Sequence, residues 1–180
     1  MTAVAVFGSS QTDPSSAEWQ EAELVGRNFA LAGIAVITGG YGGTMEAVSK
    51  GAAEAGGHVI GVTAPILFPA RSGANSFVME LIEAESLSDR IGRMMVLSQG
   101  CVALPGSIGT AAELLIAWNT NHILRRSGLP RYPSVAVGEH WLEFRSTMVG
   151  RLSALGEDIH WVDTGAQASD WMLRQINPLT

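Results

Sequence analysis

Short β-branched apolar runs alternate along this chain with stretches whose apolar residues fall at helical spacing. Ala3 to Phe7 (AVAVF) carries no polar residue, which predicts a strand buried on both faces. Ser15 and Glu18 have capping-box spacing, and Ala22, Val25, Phe29 and Ala32 then recur on one helical face until Gly33. Ile34 to Thr38 predicts a second strand. Met45, Ala47, Val48 and Ala52 predict a helix stopped by Gly56-Gly57, and His58 to Thr63 a third strand. Phe77 to Ala84 is a weaker strand pattern. Ser86 with Asp89 opens a helix through Met94, Met95 and Leu97, and Gly100 to Leu104 is a strand followed by a helix to about Arg126. Ser134 to Val137 and Ile159 to Val162 are further strands, with a helix from Trp141 to Leu152 between them. Thr164 with Gln167 begins a terminal helix bearing Trp171, Leu173 and Ile176.

Strands alternating with helices over short links imply parallel pairing with right-handed crossovers, hence an α/β, doubly wound, mainly parallel sheet flanked by helices. No boundary or repeat divides the chain, so residues 1–180 are expected to form a single domain. Residues 64–75, with Pro65, Pro69 and Gly73, are long for a connection and are expected to lie over a site. The Gly-Pro-Arg mixture at 125–133 reads as a second loop.

Composition narrows the function classes. The 180 residues are 47% hydrophobic and 16% charged, with a formal net charge of -6 and no basic cluster. A nucleic-acid backbone needs clustered Lys and Arg, so no nucleic-acid partner is expected. No apolar run reaches the ~20 residues of a membrane span, and Met1 to Phe7 lacks the basic start of a signal peptide. The single cysteine, Cys101, forms no internal disulfide, and a cytoplasmic location is expected. Lys50 is the only lysine, and no Gly-Lys-Ser/Thr phosphate loop exists.

The chain holds 21 glycines, and three predicted strands end in small-residue turns: Gly8-Ser9-Ser10, Gly39-Gly40-Tyr41-Gly42-Gly43-Thr44, and Gly106-Ser107-Ile108-Gly109-Thr110. In an open parallel sheet these turns converge beyond the carboxyl ends of the strands, where ligands bind. Helices opening after Gly43 and Gly109 would aim unpaired amides at an anion, with phosphate the expected one. The competing account is that such turns merely make tight corners. The first strand–helix turn is Gly-Ser-Ser-Gln rather than a dinucleotide fingerprint, so a mononucleotide-sized ligand fits better.

Glu113, three residues after Thr110, admits two roles. Thr-x-x-Glu is a capping box. A carboxylate facing the ligand would instead stabilise the positive charge that develops when a sugar–base bond breaks. Arg90 and Arg93 suit either surface ion pairs or phosphate. Glu46 reads as a first-turn helix acid. No histidine has metal-ligand spacing with another or with Cys101, so no metal and no cofactor are expected. Met94-Met95 and Trp118-Asn119 read as core or subunit interface.

The segment Val102-Ala-Leu-Pro-Gly-Ser-Ile-Gly-Thr-Ala-Ala-Glu113 resembles the PGGxGTxxE motif of the Lonely Guy family. Gly39 to Ala47, Gly56 to Val62 and the opening Val6-Phe7-Gly8-Ser9-Ser10 resemble that family's other conserved stretches. The resemblance spans roughly residues 3–125 and implies a Rossmann-like fold and a homodimer. Known members include cytokinin riboside 5′-monophosphate phosphoribohydrolases, long labelled lysine decarboxylases. In the family an arginine fifteen residues before the motif proline acts with the motif glutamate, which here falls on Arg90 and Glu113. Around that arginine the hydrolases carry Met-His-x-Arg-Lys, where this chain has Leu87-Ser88-Asp89-Arg90-Ile91, and Ser107 replaces the second motif glycine. The Gly-Thr-Met-Glu-Ala stretch is closer to the molybdenum-cofactor carrier-like branch.

The resemblance therefore implies a nucleoside 5′-monophosphate phosphoribohydrolase, with a non-catalytic nucleotide or pterin carrier as the alternative. A pyridoxal-phosphate decarboxylase needs a Schiff-base lysine, and Lys50, mid-helix beyond the glycine loop, is not placed to be one.

Overall fold

A computed structural model describes residues 1–71, 73–152 and 155–176. Ser72, within the predicted 64–75 loop, lies outside the described residues. Seven parallel strands form one sheet: β1 (Ala3–Phe7), β2 (Ala35–Thr38), β3 (Val59–Thr63), β4 (Glu80–Glu83), β5 (Cys101–Ala103), β6 (Ser134–Val137) and β7 (His160–Val162). Their order is β4-β3-β2-β1-β5-β6-β7. The chain walks outward from β1 to one edge, returns to the centre at β5, and walks to the other edge. The order therefore reverses between β1 and β5, and the crevice beyond their carboxyl ends is where this architecture places ligands.

Among the described residues six α-helices cover the sheet: α1 (Ala17–Leu31), α2 (Thr44–Glu54), α3 (Leu87–Val96), α4 (Ile108–Arg126), α5 (Leu142–Leu152) and α6 (Gly165–Ile176). Strand alternation sorts the core into two layers. Ala3, Ala5 and Phe7 of β1 pack with Ile37, Ala103, Met94, Leu114 and Trp118 on the face of α3, α4 and α5. Val4 and Val6 pack with Val36, Val102, Val25, Phe29, Val48 and Met172 on the face of α1, α2 and α6. Burial on both faces is why the central strands read as unbroken apolar runs.

Helix ends follow local chemistry. Gly33 (φ +73) lets Ile34 N–H reach back to the Phe29 carbonyl at 2.9 Å, closing α1 in a Schellman turn. The Thr164–Gln167 capping box forms as its spacing predicts, with Gln167 Oε1 accepting from Thr164 N–H at 3.2 Å. Two predicted boundaries need correction. The N-cap of α1 is Ser16, whose side chain accepts from Trp19 N–H, while Ser15 is held by the Asp13 carboxylate instead. The weak strand at 77–84 shortens to Glu80–Glu83, because Asn75 Oδ1 takes Phe77 N–H into a turn.

Candidate functional site

Arg90 stands one turn into α3, whose N-cap Ser86 accepts from Asp89 N–H at 3.1 Å. The guanidinium is buried at the carboxyl edge of the sheet. Its Nε donates to the Val62 carbonyl at 2.8 Å and its Nη1 to Glu113 Oε1 at 3.3 Å. A Cβ at residue 39 would overlap the guanidinium, so Gly39 is what leaves Arg90 its place. The space that a side chain at position 39 would take is thus occupied by the arginine.

Glu113 is only 6% exposed. Burial pushes its carboxyl up to about 7, and the Arg90 charge opposes that rise only in part. Desolvation likewise moves Arg90 below the usual arginine range, although a guanidinium stays charged at neutral pH. Glu113 Oε2 has no hydrogen-bond partner among the described residues. The result is a fixed cation beside a carboxyl group that ionises near neutrality.

Glu113 is not the cap of its helix. α4 begins at Ile108 with Ser107 as N-cap, so Thr110 already lies inside the first turn. Ser107 has φ -96° and ψ -165°, an extended conformation open to any residue, which explains why serine can replace the motif glycine. Its side chain makes no capping bond. Thr110 Oγ1 is buried without a partner, and the amides of Ile108, Gly109 and Thr110 are unpaired among the described residues. A helix start with three free amides and an orphan hydroxyl is equipped to take an anion.

The start of α2 is different. Thr44 N–H donates to the Ser9 carbonyl at 2.8 Å, and the Thr44 and Thr12 hydroxyls lie 2.7 Å apart. Gly43 (φ +68) presses against Ser9 and Ser10. The β1 loop thus stoppers part of this helix end, and the stronger unfilled donor set belongs to α4.

A cavity of about 290 Å³ brings Gly8, Ser10, Arg90, Ser107, Gly109, Thr110 and Glu113 together. A neighbouring cavity of about 450 Å³ takes in Gly42 and Glu46 and shares Ser10 and Arg71 with the first. Ser9, Gly39, Gly40, Gly43, Thr44 and Gly106 line neither cavity. They shape the turns from behind: the Cβ space of Gly106, for example, is filled by Thr110.

Sequence reasoning missed Arg71, Phe68 and Tyr41. The Arg71 guanidinium carbon sits 4.5 Å from the Tyr41 ring centre and 4.3 Å from that of Phe68. The loop itself was recognisable, and Phe68 three residues before Arg71 was the one available hint.

The other candidates settle into ordinary places. Arg93 pairs on the surface with Asp89 at 2.8 Å, and Lys50 with Glu23 at 2.8 Å on the α1–α2 seam. Glu46 stays a first-turn acid of α2 and borders the cavity of about 450 Å³. Met94 and Trp118 are core. Cys101 is fully buried, its thiol pushed up to about 12 by desolvation. Among the described residues no cluster of His, Cys, Asp or Glu could hold a metal ion, and no helix is long and apolar enough to cross a membrane.

Comparison with known proteins supplies the family context. The SLOG cluster4 family profile matches residues 1–131. A cytokinin riboside 5′-monophosphate phosphoribohydrolase of Arabidopsis thaliana is 38% identical over 124 residues, covering 64% of this chain and 54% of that protein. A pyrimidine/purine nucleotide 5′-monophosphate nucleosidase of Escherichia coli is 35% identical over 107 residues, covering 54% of this chain and 23% of that protein. These matches thus span about half or less of those relatives. The molybdenum cofactor binding protein of Rippkaea orientalis superposes with a TM-score of 0.74 at 21% identity, covering 97% of both chains. The molybdenum cofactor carrier protein of Chlamydomonas reinhardtii gives 0.70 at 23% identity, covering 97% of this chain and 98% of that one. At that identity the likeness speaks for the Rossmann-like fold alone.

Proposed function

Because the chain belongs to the SLOG cluster4 family, we propose that it hydrolyses the N-glycosidic bond of a nucleoside 5′-monophosphate, giving free base and ribose 5-phosphate. The observation that carries this reading is the Arg90–Glu113 pair, buried in the same cavity as the free amides of α4. The α4 start holds the phosphate. The Glu113 carboxylate faces the ribose and stabilises the cation that forms as the C1′–N bond lengthens. Water then adds its hydroxyl to C1′ while its proton balances the departing base. Arg90 keeps Glu113 in position and lends positive charge to phosphate binding. No metal enters this scheme.

The related nucleotide-cleaving enzymes support it, since the two relatives described above act, by name, on nucleoside 5′-monophosphates. The expected partner is such a small molecule and not a nucleic acid, in a cytoplasmic homodimer of single-domain chains. A second reading, a non-catalytic carrier of a nucleotide or pterin cofactor, is favoured by Ile91. It stands where the hydrolases carry lysine and is buried in the core, so this chain lacks that second cation beside Arg90.

Incubation with AMP and isopentenyladenosine monophosphate separates the two. Release of free base, lost in Glu113→Ala, is the expected result. Tight binding with no release from either nucleotide overturns the hydrolase reading in favour of the carrier.

A further inference from the structure

We propose that Arg71 is the specificity residue of this site: its guanidinium reads the phosphate and sets the preference for a nucleotide over the corresponding nucleoside. The inference rests on the reading of the cavity as a nucleoside monophosphate site and names a residue which that reading does not use.

Arg71 makes no ion pair among the described residues. The one hydrogen bond of its guanidinium among the described residues is a long contact of 3.4 Å from Nη2 to Ser10 Oγ. The planar group is held by the aromatic faces of Tyr41 and Phe68, which orient a guanidinium without consuming its N–H donors. Those rings are themselves fixed. Tyr41 is buried, its hydroxyl accepts from Ala64 N–H at 2.9 Å, and the two rings meet edge to face. The far end of the loop is tied down where Asn75 Nδ2 donates to the carbonyls of Gly40 and Tyr41.

Arg71 also lines the same cavity as Ser107, Gly109 and Thr110. An anion at the α4 start therefore meets free amides on one side and an unpaired, pre-oriented fork on the other. Bidentate arginine recognition of phosphate is the chemistry such a fork serves. The Arg90 charge is partly spent on Glu113, whereas that of Arg71 is not. A nucleoside lacking the phosphate would gain nothing from Arg71.

The test measures affinity for AMP, adenosine and inorganic phosphate in the wild type, Arg71→Gln and Arg71→Lys by calorimetry. Losing a charge-assisted contact should weaken AMP binding in Arg71→Gln by roughly 10–100-fold. Adenosine binding should move far less, and Arg71→Lys should fall between. An unchanged AMP-to-adenosine preference in folded Arg71→Gln overturns the proposal. In wild-type protein, AMP should shield Arg71 from phenylglyoxal, read by peptide mass mapping. Equal modification with and without AMP overturns it independently of any variant's folding. Base release is read separately: Arg71-dependent AMP binding without release sinks the hydrolase reading and leaves this one standing.

Discussion

At the scale of single residues, the decisive property of Glu113 is that it titrates near neutrality. Burial raises its carboxyl to about 7, and the Arg90 guanidinium at 3.3 Å only moderates the rise. If the ionised form stabilises the ribosyl cation, base release should increase with pH through that value. The ionised fraction grows from roughly one tenth at pH 6 to about nine tenths at pH 8, so the rate should rise about tenfold. Rates measured from pH 5.5 to 8.5 should follow a single ionisation, and Glu113→Gln should abolish both rate and profile. The same shift has a stability consequence of defined sign. The folded state binds this proton more tightly than the unfolded one. Its contribution is therefore fully present below the usual glutamate pKa and is lost as pH rises through about 7. A flat rate profile would remove Glu113 from the chemistry. The sequence could place Glu113 opposite Arg90 only by counting along a family motif. Spacing alone suggested a cap, because Thr110 and Glu113 fit a capping box whether or not a helix begins there. Where α4 begins depends on the Pro105-Gly106 turn, and that starts the helix at Ile108, one turn earlier than a Thr110 cap would.

Elements were more legible than residues. A strand buried on both faces reads as a mainly apolar run, so β1, β2, β3, β5 and β6 announce themselves, with polar residues only at the ends, Thr38, Thr63 and Ser134. Edge strands have no such constraint, and β4, exposed at Glu80, Leu81 and Glu83, could be located only loosely. Cap positions were legible where one polar residue had no rival. Ser86 and Thr164 were such cases. Ser15-Ser16 was not, since either serine precedes a helical pattern and only the Asp13 turn decides between them. That register is open to measurement. Ser16→Ala should cost about 1 kcal/mol in urea denaturation, the usual worth of an N-cap hydroxyl. Ser15→Ala should cost clearly less, because its bonds to Asp13 are local and exposed. Equal losses would mean that α1 is capped by both serines. The glycine turns were legible as a group but not individually. Gly39 serves Arg90, Gly43 fits the β1 loop, and Gly106 makes room for Thr110, while Gly42 and Gly109 face cavities. Only the assembled turns separate the two uses.

At the scale of the whole molecule, α4 leaves an apolar face exposed. On α4, Ile108, Leu115, Ile116 and Ile123 are 86%, 38%, 40% and 54% exposed, and helical spacing puts them along one side. Leu87 of α3, 44% exposed, lines the site cavity together with Ile108, so the apolar stripe begins at the mouth of the site. Isolated exposed apolar residues are normal, whereas a row of them on a single helix is what the proposed dimer would bury. A second copy of the chain is the occupant that the proposed homodimer requires. Light scattering on the purified protein should then give twice 19.0 kDa. Ile116→Asp combined with Ile123→Asp should give the monomer mass, because two carboxylates buried at a self-complementary face have no counter-charge. Both positions are too exposed in the single chain for the substitutions to unfold it, so unchanged far-UV circular dichroism should accompany the loss of mass. The monomer should also bind AMP more weakly, since Ile108 and Leu87 would then leave the cavity mouth open to water. A wild-type protein that scatters at 19.0 kDa across micromolar concentrations would leave the stripe unpartnered and the dimer proposal without support.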